Sequence, residues 1–169
     1  MRRLFAAIVM VLLSVAVASA QNYMVIDSER VFKSIESYND ALNKIESLSK
    51  QYQLNVDDKF KEVETLYNSY IAQRASLSEY TRQQREQQIL SLEQQATQYQ
   101  ESIFGTDGEL MKRRLELIQP IQQQVFEAIE SFAKEHGYDL VIDISANPTV
   151  LYYSEKVNFT ERIIEALKK

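Results

Sequence analysis

Between Gln21 and Phe104 the chain contains neither glycine nor proline. A compact domain turns about every 10–20 residues, and its turns draw heavily on those two residues. Their absence over 84 residues therefore means few turns and long elements. Hydrophobic spacing says which kind. Tyr38, Leu42, Ile45, Leu48, Tyr52, Val56, Phe60, Val63, Tyr67 and Tyr70 follow one another at steps of three or four, 32 residues in nine steps. That is close to the helical period of about 3.6, so it predicts one apolar stripe on a long helix.

A second run steps 3, 4, 3, 4 through Ile89, Leu92, Ala96, Tyr99 and Ile103, and Leu110, Leu117, Ile121, Val125, Ile129 and Phe132 extend it more loosely. Between the runs, Ser76 has capping-box spacing to Glu79, and Ser78 is an equally good N-cap. The chain is expected to reverse near residues 75–79 and to pack two antiparallel helices stripe to stripe. About 39 residues at about 1.5 Å each give an arm of roughly 60 Å. Of the 16 glutamines, 12 lie between residues 83 and 124, so the outer faces should be polar and solvated. The return helix carries two defects. Phe104-Gly105-Thr106-Asp107-Gly108 combines weak helix formers with a turn-favouring dipeptide, and Pro120 removes a backbone donor. Two readings stand: a helix that tolerates both, or a hinge at Gly105, Gly108 and Pro120 that lets the arm tilt.

At the N-terminus, Arg2 and Arg3 precede an apolar run from Leu4 to Ala18, and Ala18-Ser19-Ala20 is a small-x-small motif. This pattern predicts a signal peptide over residues 1–20, cleaved after Ala20. A retained membrane anchor is the weaker reading, because the run is short of the about 20 residues that span a bilayer. Export of a chain without cysteine fits a bacterial periplasm, where folding need not depend on disulfides. No later apolar stretch is long enough to span a membrane, so no stable insertion is expected after cleavage.

Composition excludes much chemistry. With no cysteine there is no disulfide, thiolate nucleophile or cysteine-ligated metal, and one histidine, His136, makes no metal site. Three glycines cannot build a phosphate-binding loop. The chain has 19 Lys+Arg against 24 Asp+Glu, net −5, which argues against general nucleic-acid binding. Without the two leader arginines the balance is 17 − 24 = −7. No nucleophile, base and orienter assemble from these residues, so no catalytic activity and no cofactor are expected. His136 reads as a helix-end cation, Asp57-Asp58 as a solvated face, and Asp27, Asp139 and Asp143 as strand-borne carboxylates that are solvated at the hub rim or hydrogen-bonded.

Outside the helical middle the period changes. Tyr23–Asp27 and Tyr138–Ile144 read as strands, Ala146-Asn147-Pro148-Thr149 as a turn, and Val150–Tyr153 as a third strand. A short helix should run from Ser28, its N-cap, to Ile35. A closing helix should run from about Thr160 to Leu167, capped by Asn158 or Thr160. The predicted fold class is α+β, mostly helical: residues 21–36 and 134–169 form a small β hub, and residues 37–133 are inserted as a coiled-coil hairpin arm. Three strands are marginal alone, and open apolar edges call for other copies. Tyr23, Val25, Leu140, Val141, Ile142, Leu151 and Tyr153 are the residues expected to build that oligomeric hub.

At this point the chain resembles the Skp/OmpH family of periplasmic chaperones over essentially its whole mature length. The carriers are Tyr23 to Phe32, the Ser78-Glu79 helix restart, Pro120, and His136-Gly137-Tyr138-Asp139-Leu140-Val141-Ile142-Asp143. The resemblance implies a jellyfish-shaped homotrimer whose three hairpins enclose a cavity. Without ATP, that cavity holds unfolded outer-membrane protein precursors. Well-known members carry basic arms, whereas residues 37–104 here hold 7 Lys+Arg and 10 Asp+Glu, net −3. Client capture would then lean on apolar and aromatic contacts. Tyr52, Tyr67, Tyr70 and Tyr99 fall on the stripes and should pack within the hairpin. Ile71, Leu77 and Tyr80, near the tip where the seam ends, are the expected client contacts. The rival function is an envelope scaffold that binds one folded partner.

Overall fold

The structure, a computed structural model, describes residues 22–145 and 147–168. The expected signal peptide and its cleavage site lie outside the described residues, as does Ala146 in the expected turn. The elements are β1 (Tyr23–Ile26), α1 (Ser28–Lys33), α2 (Glu36–Gln73), a 3-10 turn (Arg74–Ser76), α3 (Glu79–Phe104), α4 (Glu109–His136), β2 (Leu140–Asp143), a second 3-10 turn (Glu155–Val157) and α5 (Thr160–Leu167). The fold is mostly helical with one small sheet. The described residues divide into two compact units, residues 35–123 and residues 22–34 with 124–145 and 147–168.

In the unit built from both chain ends, β1 and β2 pair in parallel, with Tyr23 opposite Leu140, Met24 opposite Val141, Val25 opposite Ile142 and Ile26 opposite Asp143. β1 is the inner strand: Met24, Val25 and Ile26 are buried, while Leu140 on β2 is 56 % exposed. Val31, Phe159, Ile163 and Ile164 are buried in the same unit. Phe159 meets Phe132 at 6.0 Å and Tyr138 at 4.8 Å between ring centroids, with the Arg162 guanidinium 4.9 Å over its ring. The exit from α4 follows from Gly137 at φ +70°. There the Tyr138 amide donates to the Ala133 carbonyl at 2.9 Å and the Gly137 amide to the Lys134 carbonyl at 3.3 Å, a glycine-capped helix end.

The third strand does not form within the chain. Among the described residues Val150–Tyr153 pairs with no strand, Leu151 is 93 % exposed, and Tyr153 is half-buried outside any strand. The free edge of β1 is already taken: Val25 bridges Asn158, and its carbonyl accepts the Phe159 amide at 2.9 Å. Pro148 also leaves the preceding turn without one donor. The first helix is shorter than expected and capped one residue earlier. Asp27 accepts the Arg30 amide at 2.9 Å, freeing the Ser28 hydroxyl to donate to Asp143 at 2.5 Å. Asn158 holds the start of α5, accepting from the Thr160 amide at 3.2 Å and its hydroxyl at 2.7 Å.

The other unit is a hairpin of α2 against α3, continued by the first part of α4. The reversal lies where expected, and Ser78 is the cap, accepting the Thr81 amide at 3.2 Å. Ala41, Val56, Tyr70, Ala96, Ile103 and Ile118 are its buried apolar residues. The expected stripes are only partly buried, since a two-helix seam covers a narrow band of each helix. Leu42 is 40 % and Tyr67 50 % exposed. The helix breaks at residues 105–108 and restarts, which resets its phase: Ile118 is buried, whereas Leu117, on the extrapolated stripe, is only half-buried. α4 then runs through Pro120 without a second break.

Candidate functional site

The turn-proximal end of the hairpin is tied by polar groups. The Tyr70 hydroxyl donates to Glu86 across the seam, and Arg74 Nε donates to the Tyr70 oxygen at 3.2 Å. The hydrogen bond to Glu86 pushes the Tyr70 hydroxyl above its usual pKa. Arg82 Nε–H is shared between the Arg74 and Leu77 carbonyls, each at 3.1 Å, so it closes the turn from the return helix. Further along, the Lys59 ammonium sits 4.9 Å over the Tyr99 ring, a cation–π bridge between α2 and α3. These links hold the two helices in register where little apolar seam is available.

Beside this clasp lies an open groove of about 480 Å³, lined by Tyr67, Tyr70, Ile71, Arg74 from α2 and its turn and Glu86, Ile89, Leu90, Glu93 from α3. Tyr67, Ile71 and Leu90 each present about half or more of their surface to solvent (50 %, 50 % and 54 %). The three expected client contacts are not one site. Ile71 lies in the groove; Leu77 is half-buried in the turn; Tyr80 is 69 % exposed on α3, its hydroxyl accepting from Gln84 at 2.8 Å. Sequence reasoning placed Tyr67 inside the seam and missed Leu90. A Tyr67–Ile71 step of four residues, one face of a helix, was the available signal.

Other large apolar side chains stand open along the helices: Leu54 at 64 %, Met111 at 42 % and Leu115 at 53 % exposure. At the helix break, Gly105 and Gly108 are both at close quarters. A Cβ on Gly105 would run into the Glu101 carbonyl oxygen, and one on Gly108 into the Ile103 carbonyl.

The expected hub residues divide by position. Tyr23 and Val25 lie on β1, and Leu140, Val141 and Ile142 on β2. Leu151 and Tyr153 lie in the unpaired segment. Tyr23 is 46 %, Leu140 56 % and Tyr152 85 % exposed, so apolar surface remains open here. Among the described residues no group of three His, Asp or Glu could hold a metal, and no helix is long and apolar enough to cross a membrane.

A parallel two-strand body from the two chain ends, with a long helical hairpin inserted between them in sequence, defines an α+β helical-hairpin class. The chain belongs to the Skp/OmpH family: the model of the OmpH-like outer membrane protein family matches residues 22–167. Its fold is similar to that of a Caulobacter crescentus CB15 protein described as an OmpH-like outer membrane chaperone. The TM-score is 0.69 over 88 % of this chain and 85 % of that one, at 9 % sequence identity. No curated protein matches the chain.

Proposed function

We propose that this protein is an ATP-independent periplasmic chaperone that holds unfolded outer-membrane protein precursors among the helical hairpins of a homotrimer and keeps them from aggregating. The observation that carries the reading is the hairpin surface. Leu54, Tyr80, Met111 and Leu115 are exposed singly, and Tyr67, Ile71 and Leu90 together in the groove, on helices that are otherwise polar. Scattered apolar contacts suit a client without fixed shape. Each is weak, several act together, and release stays fast. Binding the unfolded rather than the folded state keeps the former in solution. Family membership supports the same reading.

Assembly follows from the terminal body. A two-strand sheet is marginal alone, and the open edge of β2 and the exposed apolar residues of the irregular Val150–Tyr153 segment suit pairing with other copies. In this reading the expected third strand forms between chains.

The test dilutes several unrelated outer-membrane β-barrel proteins from urea into the mature protein and follows light scattering. Suppression near one assembly per client, without ATP, is the expected result. Saturable binding of one folded envelope partner, with no suppression, would instead establish the scaffold reading. Replacing Ile71, Leu77 and Tyr80 together by Ser should weaken suppression severalfold while the assembly stays intact.

A further inference from the structure

We infer that the groove beside the hairpin turn docks extended polypeptide segments in which an apolar side chain is bracketed by lysine or arginine. This rests on the chaperone reading above and names the client chemistry that the groove selects.

The floor of the groove is apolar, with Tyr67, Ile71 and Leu90 half-exposed. Its charges do not cancel. Arg74 is the one cation among the lining residues. Its Nε is committed to the Tyr70 hydroxyl at 3.2 Å, and its charge already interacts with Glu86 and Glu79. Glu93 is exposed and forms no ion pair among the described residues. Glu86 gives one carboxylate oxygen to Tyr70, which leaves the other able to accept.

Spacing adds to charge. Glu86, Leu90 and Glu93 stand at i, i+4 and i+7 on α3, one helical face. Seven residues at about 1.5 Å put the two carboxylates about 10 Å apart along the axis. In an extended peptide the side chains at i, i+2 and i+4 share one face and span about 13 Å, a separation that two long, flexible lysine side chains bring to the carboxylate spacing. A segment with basic residues four positions apart and a large apolar residue midway between them therefore meets both carboxylates while its apolar side chain rests among Tyr67, Ile71 and Leu90. An acidic segment of the same shape meets like charge.

The test uses the full mature protein and two fluorescein-labelled peptides, one with a Lys-Ser-Leu-Ser-Lys core and one with Glu-Ser-Leu-Ser-Glu, read by anisotropy at low ionic strength. The lysine peptide should bind about threefold or more tightly, in keeping with exposed charge pairs, and salt should erase the difference. Glu93→Gln should reduce the preference, and Glu93→Lys should reverse it. Glu93 is solvent-facing and unpaired, so both variants should keep the wild-type circular dichroism. Equal binding of the two peptides, or a preference unchanged in both variants, overturns the groove assignment. Light scattering with unfolded clients separates the two failures. Wild-type protein that suppresses aggregation but does not discriminate the peptides overturns the groove alone. Protein that suppresses nothing overturns the chaperone reading beneath it.

Discussion

Four hydrogen bonds converge on Asp143, from the amide and hydroxyl of Ser28 at 3.1 and 2.5 Å and from the amide and hydroxyl of Ser145 at 3.0 and 2.9 Å. They join the end of β2 to the start of α1. Burial opposes ionisation of this carboxyl, but the hydrogen bonds from Ser28 and Ser145 outweigh it and hold the pKa below the ordinary 3.8. A lowered folded-state pKa stabilises the fold fully above the unfolded value, and the gain is lost as pH falls through the folded one. Asp143→Ala should therefore cost on the order of 1 kcal/mol near neutral pH, since the site is partly solvated. The gap from wild type should close progressively below the ordinary carboxyl value; urea unfolding at several pH values measures it. In sequence Asp143 was legible only as one of three strand-borne carboxylates. Its partner Ser28 lies 115 residues away, a distance that no local pattern spans.

Among the elements, the long helices were legible because periodicity and the missing glycine and proline act over many residues and agree. Which residues of each stripe become buried was not, because a two-helix seam selects a narrow band and the break at residues 105–108 resets the phase. The two kinds of glycine at element ends make opposite demands. Gly137 needs its positive φ of 70° and has open space where a Cβ would go. Gly137→Ala should cost about 1 kcal/mol from backbone strain alone. Gly105 has an ordinary φ of −62°, but a Cβ there strikes the Glu101 carbonyl. Gly105→Ala should thus lower stability by more than Gly137→Ala and reshape the break instead of stiffening it. Equilibrium unfolding of the two variants side by side gives the comparison, and a neutral Gly105→Ala would mean that the break relaxes freely.

At the scale of the molecule, the terminal body keeps Tyr23, Leu140, Leu151 and Tyr152 largely open, while β1 is buried between β2 and Asn158–Phe159. If copies complete this sheet, Leu140→Asp with Leu151→Asp should turn a sedimenting trimer into monomers and leave the hairpin helicity unchanged by circular dichroism. A wild-type monomer at micromolar concentration would remove the basis for the proposed assembly. The strands themselves were legible as short apolar runs, and β1 and β2 formed. Val150–Tyr153 has the same local character, yet among the described residues it pairs with neither strand: Asn158 and Phe159 occupy the outer edge of β1, and the outer edge of β2 is left open. The sequence alone determined the long helices, their reversal at Ser78, the glycine-capped exit at Gly137 and the two apolar strands, since each depends on residues close together in the chain. Only the tertiary structure decided which strand edge is filled, which stripe residues are buried, and that Tyr67, Ile71 and Leu90 share one groove. Those outcomes depend on competition for partners brought together by folding, and neither period nor propensity encodes it.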